Sequence, residues 1–205
     1  MENLTLAGRH IRLEPLAMAH VPALVAAASE SRASYRYSVV PDSEAAMRAY
    51  VAAAAEARAA GEHLPFATVR QADGRVIGTT RFSDLAPWTW PDGSPHQREG
   101  RPDVAEIGHT WLAASAQRTG ANTEAKWLML RHAFETWEVH LVRLRTDRRN
   151  LRSRAAIERL GARFEGVRRA DRPGVDGTVR DSAFYSITRG EWPAVRDRLA
   201  ALVRD

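Results

Sequence analysis

The sequence of 205 residues contains no cysteine, and only one of its 30 basic residues is a lysine, Lys126. The absence of cysteine excludes disulfides, thiolate metal sites, iron–sulfur ligation and a cysteine nucleophile within this chain. No stretch approaches the roughly 18 uninterrupted apolar residues of a membrane-spanning helix. The N-terminus also lacks the basic start and apolar core of a signal peptide. We therefore expect a cytoplasmic protein with no membrane partner.

The composition is that of an ordinary globular chain. Hydrophobic residues make up 44% and charged residues 27%, which argues against global disorder. The length predicts a single domain over residues 1–205. The net charge of +5 suggests an anionic partner, although arginine in place of lysine together with many alanines is equally typical of a GC-rich genome.

Alternating and helical hydrophobic patterns predict the order β-α-α-β-β-β-α-β-α-β-β-α, a mixed α/β fold. The predicted strands are 10–16, 64–70, 75–84, 104–112, 140–146, 163–169 and 179–188, and the predicted helices are 17–29, 43–60, 122–137, 151–160 and 191–203. Residues 86–103 form a long loop, with four prolines, two glycines and two tryptophans. Loops of this length within a domain are usually functional or disordered, so we treat it as an insertion.

The segment 104–122 carries the clearest chemical signal. An apolar strand leads through a turn of small and polar residues into the best predicted helix of the chain. The first amides of a helix have no internal acceptor, and the helix dipole favours an anion there, so this unit can cradle a phosphate. Gly120 permits close approach of a ligand to the backbone and Arg118 adds positive charge. Neither the Walker motif nor the dinucleotide-binding glycine motif is present.

Here the sequence resembles a known family. The segment Gln117-Arg118-Thr119-Gly120-Ala121-Asn122 resembles the pyrophosphate loop of the GNAT N-acetyltransferases. The segment from Asn150 to Gly166 resembles the N-x-x-S and LGF-x-x-EG segment of that family. Further similarity to the branch that acetylates ribosomal-protein N-termini, the RimJ/RimL type, lies in the segments 106–111, 181–187 and 191–192. The order and spacing of these motifs agree with the predicted strands and helices.

The resemblance implies a GNAT fold, in which helices flank a mostly antiparallel sheet that splays at the acyl-CoA site. It also implies acetyl transfer from acetyl-CoA directly to a primary amine in a ternary complex, with no metal. The sequence departs from the family pattern at Asn122, which stands where the third glycine or alanine is expected, and at Phe164, which follows Gly161 at a different spacing. Asn122 could still cap the helix.

The resemblance also implies the site residues. Glu106 would be the general base and Ser153 the acid that protonates the departing thiolate. The cofactor-binding residues would be Gln117, Arg118, Thr119, Gly120, Ala121, Asn122 and Asn150. Each also has a structural interpretation: Glu106 could be hydrogen-bonded within the fold, and Asn150 and Ser153 could satisfy amides at the start of the following helix.

Several weaker candidates remain open. Tyr185 is an alternative acid or a core aromatic, and Trp88 and Trp90 either line an acceptor pocket or fold back onto the core. His109 is interpreted as structural, because its odd spacing from Glu106 predicts the opposite face of the strand. Any of four arginines could bind the 3′-phosphate of CoA: Arg148, Arg149, Arg152 and Arg154.

Two other functions compete with an acetyltransferase. A nucleic-acid-binding protein would use the arginine excess, but acidic residues are interspersed and no recognition motif is present. An acyl-CoA sensor on the same scaffold would bind the carrier and transfer nothing. The acceptor amine stays open between a protein N-terminus, an antibiotic and a small metabolite, and a homodimer is compatible with the sequence.

Overall fold

The computed structural model describes residues 4–97 and 100–204, and for Arg204 the backbone alone. The predicted features of the first three residues and of positions 98–99 in the long loop lie outside the described residues. The described strands form one eight-stranded sheet with the order β1-β2-β3-β4-β5-β6-β8-β7. Every neighbouring pair is antiparallel except β5 and β6, which run parallel. The predicted mostly antiparallel mixed sheet with flanking helices is therefore confirmed.

The strands are β1 Leu6–Ala7, β2 Ile11–Pro15, β3 Leu64–Arg70, β4 Val76–Ala86, β5 Val104–Leu112, β6 Leu141–Asp147, β7 Arg163–Pro173 and β8 Val179–Thr188. The helices are α1 Val21–Ser29, α2 Glu44–Ala59, α3 Ala121–Arg131, α4 Leu151–Arg159 and α5 Trp192–Arg204. None of these helices, within the described residues, is long and apolar enough to cross a membrane.

Local signals set several helix ends. The Ser43 hydroxyl accepts a hydrogen bond from the Ala46 amide and caps α2, and the Asn150 side chain caps α4 in the same way through the Ser153 amide. Gly61 and Gly161 follow the ends of α2 and α4 with φ of +79° and +98°. Glycine adopts this left-handed conformation without a Cβ clash, so both predicted helix stops are confirmed.

Two hydrophobic clusters hold the two faces of the sheet. The larger lies between the sheet and α3, α4 and α5, and includes Phe82, Leu128 and Tyr185. The smaller lies beneath α1 and α2, and includes Leu24 and Trp111. Among the described residues, this second cluster contains none from β6 or β8.

The structure differs from the sequence prediction at several elements. The strand predicted over 75–84 extends to Ala86, which was assigned to the long loop, and the helix predicted from residue 17 is α-helical only from Val21. The two-residue strand β1 was not predicted, because so short an edge strand carries no periodicity. The helix predicted over 122–137 is α-helical only to Arg131 and continues as a π-helical turn over His132–Thr136. The strand predicted over 163–169 extends to Pro173, as β7 pairs with β8 in a long exposed hairpin.

Candidate active site

The parallel pair β5–β6 opens into a cleft. Its pairing covers only Val104↔Leu141, Ala105↔Val142 and Glu106↔Arg143, while β6 continues to pair with β8 as far as Asp147. From residue 107 onwards, the edge of β5 that faces β6 therefore lacks a strand partner among the described residues. Such an edge presents unpaired amides and carbonyls to any extended ligand laid along it.

A β-bulge deforms β5 at this cleft. The pairs Thr79↔Trp111 and Arg81↔Gly108 leave two residues, His109 and Thr110, opposite a single residue of β4. His109 has φ of +50°, a conformation that side chains other than glycine rarely adopt. Bulges of this kind bend a strand and are frequent beside active sites.

Lys126 supports the bulge from the side of α3. Its Nζ donates to Thr110 Oγ1 at 2.6 Å and to Thr80 Oγ1 at 3.0 Å. The Thr110 hydroxyl in turn lies 3.3 Å from the carbonyl oxygen of Gly108, within the bulge. No carboxylate of the described residues pairs with Lys126, and burial lowers its pKa to about 7.

The predicted phosphate cradle lies on the surface. Arg118, Thr119 and Gly120 are exposed, and α3 begins at Ala121 directly after them. Gly120 has ordinary helical φ and ψ, and a Cβ added there would meet no atom within 4 Å. In the first turn of α3, the Ala121 amide bonds Thr119 Oγ1 at 3.3 Å and the Glu124 amide bonds the Gly120 carbonyl at 2.9 Å. The amides of Asn122 and Thr123 have no acceptor among the described residues and are the two left for a ligand.

The side chain of Gln117 is held by hydrogen bonds within the fold. Its Nε2 donates to Ser34 Oγ and to the Leu112 carbonyl, both at 2.8 Å. Its Oε1 accepts a hydrogen bond from Arg152 on α4 at 2.9 Å. This last bond joins the cradle to the start of α4, so the two predicted segments of the site do come together.

At the start of α4, the predicted residues serve different purposes. The Asn150 side chain accepts from the Ser153 amide at 3.1 Å, so its predicted capping role is confirmed and its contact with a cofactor stays a prediction. The Ser153 hydroxyl has no partner among the described residues and is half-buried. It is therefore available to a ligand.

Glu106 is buried on the other side of the cleft. Its side chain is 4% exposed, and its Oε1 lies 2.9 Å from Arg145 Nε. Burial raises the pKa of Glu106 to about 7, and the positive charge of Arg145 opposes that rise. A carboxyl group with this pKa can accept and release a proton near neutral pH.

The arginines and the tyrosine near α4 all have partners. Arg148 pairs with Asp181, Arg149 with Asp147 and Asp176, Arg152 with Gln117, and Arg154 with Tyr185. The Tyr185 hydroxyl also donates to Glu158 at 2.9 Å, and the residue is fully buried. These contacts favour the structural interpretation of Tyr185 as a core aromatic.

The interpretation of His109 as pointing away from Glu106 was wrong. Arg81 shares the face of Glu106, because Ser83 is directly opposite Glu106 and Arg81 is two residues further along β4. His63 lies 3.3 Å from Arg81, and the rings of His63 and His109 are 5.9 Å apart. The bulge turns His109 to this face, which a strict period of two cannot predict. Desolvation by the surrounding protein, together with the positive charge of Arg81, lowers the pKa of His109, so its imidazole is neutral at pH 7.

The tryptophans of the long loop pack away from this cleft. Trp88 stacks on His140 at 5.5 Å, and Trp90 contacts Trp88, His96 and His140. The Trp88 amide also donates to Asp103 at 2.8 Å. Neither tryptophan lines the groove around Glu106. Within residues 4–97 and 100–204, no three His, Asp or Glu side chains are grouped to hold a metal ion.

The chain is similar to known acetyltransferases in sequence and in structure. Residues 10–163 match the family model described as an acetyltransferase (GNAT) domain. A curated protein of Bacillus subtilis, named "Putative ribosomal N-acetyltransferase YdaF", is 36% identical over 88 residues. That match covers 43% of this chain and 47% of the relative, so it spans about half the length of the curated protein.

Solved structures share the whole fold. A GCN5-related N-acetyltransferase from Brucella melitensis superposes with a TM-score of 0.85 at 27% identity, covering 99% of this chain and 86% of that one. Mycobacterium smegmatis RimJ in complex with CoA-disulfide superposes with a TM-score of 0.75 at 22% identity, covering 97% and 94%. At 22% identity, the likeness to RimJ shows the fold.

Proposed function

Since this chain belongs to the GNAT acetyltransferase family, we propose that it transfers the acetyl group of acetyl-CoA to a primary amine in a ternary complex. The family uses acetyl-CoA as its acyl donor. The observation that carries the proposal is the cleft between β5 and β6, bounded at one end by the exposed cradle Arg118–Gly120 and at the other by buried Glu106. The bacterial ribosomal acetyltransferase relative supports a cytoplasmic location.

The residues present fit the carrier. The open space at Gly120 lets a diphosphate approach the first amides of α3, where the helix dipole favours negative charge. The unpaired edge of β5 matches an arm that contains amide groups, since both present donors and acceptors in an extended line. Arg118 lies within the cradle and supplies positive charge.

When bound, acetyl-CoA supplies an activated acyl carbon and a sulfur leaving group. Glu106 takes a proton from the incoming ammonium, directly or through water. The lone pair of the amine then forms the C–N bond while the C–S bond breaks, and the electron pair of that bond leaves with the sulfur. As the C–N bond forms, the nitrogen releases its second proton to water. The hydroxyl of Ser153 donates the proton that neutralises the thiolate and later regains one from solvent. Because no cysteine is present, no acyl-cysteine forms on these residues, and transfer is direct.

Isothermal titration calorimetry with acetyl-CoA tests the cradle. We expect the wild-type chain to bind and Gly120→Val to lose at least tenfold in affinity, since a branched side chain blocks the approach. The fold should survive, because a Cβ at residue 120 meets no atom within 4 Å. Gly190→Val is the matched control, as Gly190 is equally uncrowded and lies before α5. Unchanged affinity in Gly120→Val would remove the cradle from this proposal.

An amine panel followed by free-thiol release tests the transfer. We expect acetyl-CoA cleavage that depends on the amine and falls in Glu106→Gln and Ser153→Ala. Binding of acetyl-CoA without transfer to any amine would instead support an acyl-CoA sensor. The absence of nucleic-acid binding and the homodimer both stay predictions.

A further inference from the structure

A groove of about 320 Å³ lies on the face of the sheet that carries Glu106, beside the cleft. Three carboxylates and three guanidinium groups line it: Asp84, Glu106, Glu165, Arg143, Arg145 and Arg168. The charges are balanced, so the groove as a whole selects neither a simple cation nor a simple anion. Selection must therefore come from the individual groups and from how each is already engaged.

Five of the six charged groups already have partners. Arg145 lies 2.9 Å from Glu106 and 3.6 Å from Asp84. Glu165 accepts a hydrogen bond from the Ser186 hydroxyl at 2.5 Å. Arg168 pairs with Asp171 at 3.2 Å.

Arg143 is the exception. Among the described residues it has no ion pair, hydrogen bond or ring contact, although it is only half exposed. A guanidinium group presents five donors in a planar fork that matches a carboxylate with two parallel hydrogen bonds. A partly desolvated guanidinium with no partner is thus a ready anchor for an anion.

The position of Arg143 relates it to the transfer site. It is the parallel partner of Glu106, one strand away, where neighbouring strands lie about 4.8 Å apart. Both side chains line the same groove. An amine beside Glu106 therefore places its nearby substituents within reach of Arg143.

We propose that the acceptor is an amine that carries a carboxylate close to its nitrogen, and that Arg143 binds this carboxylate while Glu106 receives the amine. This inference rests on the proposed acetyl transfer and names its acceptor class. A singly charged carboxylate fits better than a doubly charged phosphate, because Asp84 and Glu165 line the same groove and repel the additional charge.

Paired substrates test the acceptor class. The first pair is an α-amino acid and its methyl ester, for each of the common amino acids. The second is an amidated dipeptide that begins with Asp and its counterpart that begins with Asn. We expect at least one pair to show a kcat/KM at least tenfold higher for the carboxylate form, and the responding pair identifies the source of the carboxylate. Equal rates, or faster ester and Asn substrates, in both pairs would overturn the proposal.

Variants assign the effect to Arg143. Arg143→Gln should lower kcat/KM for the carboxylate form about 10- to 100-fold, mainly through KM, and that loss should exceed the loss for the neutral form by at least tenfold. Arg196→Gln is the control, because Arg196 is an exposed arginine on α5 paired with Asp197. Equal losses for both forms in Arg143→Gln would show a general defect of the groove and overturn the assignment.

Direct binding separates this inference from the proposed function. The same compounds are titrated by calorimetry into the protein saturated with CoA. If no amine is acetylated but carboxylate amines bind in an Arg143-dependent manner, the transfer proposal fails and the anchor stands. If amines are acetylated without regard to the carboxylate, transfer stands and the anchor fails. If no compound is acetylated and none binds, both fail.

Discussion

Glu106 and Arg145 form a buried pair, with carboxylate oxygen and guanidinium nitrogen 2.9 Å apart and side chains 4% and 16% exposed. In this pair, burial and the neighbouring cation act on the pKa of Glu106 in opposite directions. Although the cation is adjacent, burial prevails and raises the pKa of Glu106 to about 7. A carboxyl group that titrates near neutrality beside an open cleft is typical of acid–base catalysis.

The pH dependence of the reaction should report Glu106. With an acceptor amine whose own pKa exceeds 9, kcat/KM should rise through an apparent pKa of about 7 as the carboxyl group loses its proton. Glu106→Gln should lower kcat/KM by about 10²- to 10⁴-fold, the usual contribution of a general base, and should abolish this limb. Glu44→Gln is the control, because Glu44 is an exposed carboxylate on α2 paired with Arg48 and lies outside the groove. An unaltered limb near pH 7 in Glu106→Gln would assign the base elsewhere, with neutral His109 the next candidate.

The same titration should appear in stability. Between pH 4.5 and 7 the folded chain retains a proton on Glu106 that the unfolded chain has released, so stability falls as the pH rises through this window. The difference corresponds to a change on the order of 3 kcal/mol in the free energy of unfolding. Urea unfolding between pH 4.5 and 8 should show that the free energy of unfolding of the wild type declines with pH, and that this decline is weaker in Glu106→Gln. Parallel curves for the two proteins would contradict the raised pKa.

Lys126 offers an independent probe, because it is the only lysine in the chain. Labelling lysine with ¹³C at Cε gives a single resonance, whose titration midpoint should lie near pH 7. Because the folded chain binds fewer protons than the unfolded chain between pH 7 and 10.5, stability should rise with pH across that window. Lys126→Met should remove this rise and, by releasing Thr110 and the bulge, lower kcat about 10- to 100-fold. A midpoint near the ordinary value of 10.5 would contradict the buried position of Nζ.

Gly8 should tolerate no side chain. The carboxylate of Glu124 on α3 accepts hydrogen bonds from the amides of Arg9, His10 and Ile11 at 2.6–2.8 Å, which ties the β1–β2 turn to the helix. A Cβ at residue 8 would lie 2.4 Å from Glu124 Cδ. Gly8→Ala should therefore cost about 1–3 kcal/mol in the free energy of unfolding.

The control for this change is Gly190→Ala, where nothing lies within 4 Å of the added Cβ. Urea denaturation should show a lower midpoint for Gly8→Ala and a shift of less than about 0.5 kcal/mol for the control, the usual range for an uncrowded surface site. Equal midpoints would mean that Glu124 moves aside freely.

Elements that depend on local sequence signals were predicted, whereas contacts between residues distant in sequence were not. Strand β5 and strand β8 were predicted with their observed bounds, because hydrophobic patterns and turn residues are local signals. Asn150 was predicted as a helix cap for the same reason. The family resemblance predicted a cradle over residues 117–122, and residues 118–120 of this segment are exposed. The binding of a cofactor there stays a prediction.

Interactions distant in sequence were missed. The carboxylate of Glu124 meets amides 113–115 residues away, and the Gln117 side chain meets Ser34 across 83 residues. No local pattern reports such partners. The bulge at His109 was also missed, because one additional residue reverses the alternation that the prediction relied on. The sequence feature that could have drawn attention to the bulge was Lys126, a single lysine in the middle of an apolar helix face, because its Nζ binds Thr110 there.

Two hydroxyls are candidates for the proton donor to the leaving thiolate, and they differ in their hydrogen bonds. Ser153 Oγ has no partner among residues 4–97 and 100–204, whereas the Tyr185 hydroxyl bonds Arg154 at 2.8 Å and Glu158 at 2.9 Å. A hydroxyl held by two neighbours inside the core is poorly placed to reach a ligand.

We therefore expect Ser153→Ala to lower kcat by at least about tenfold with little change in stability, since a positioned acid typically contributes 10²-fold or more. Tyr185→Phe should lower stability by about 1 kcal/mol through the lost hydrogen bonds and retain most of the activity. Steady-state kinetics gives kcat and urea denaturation gives the free energy of unfolding for each variant. A large loss of kcat in Tyr185→Phe with little loss in Ser153→Ala would make Tyr185 the acid.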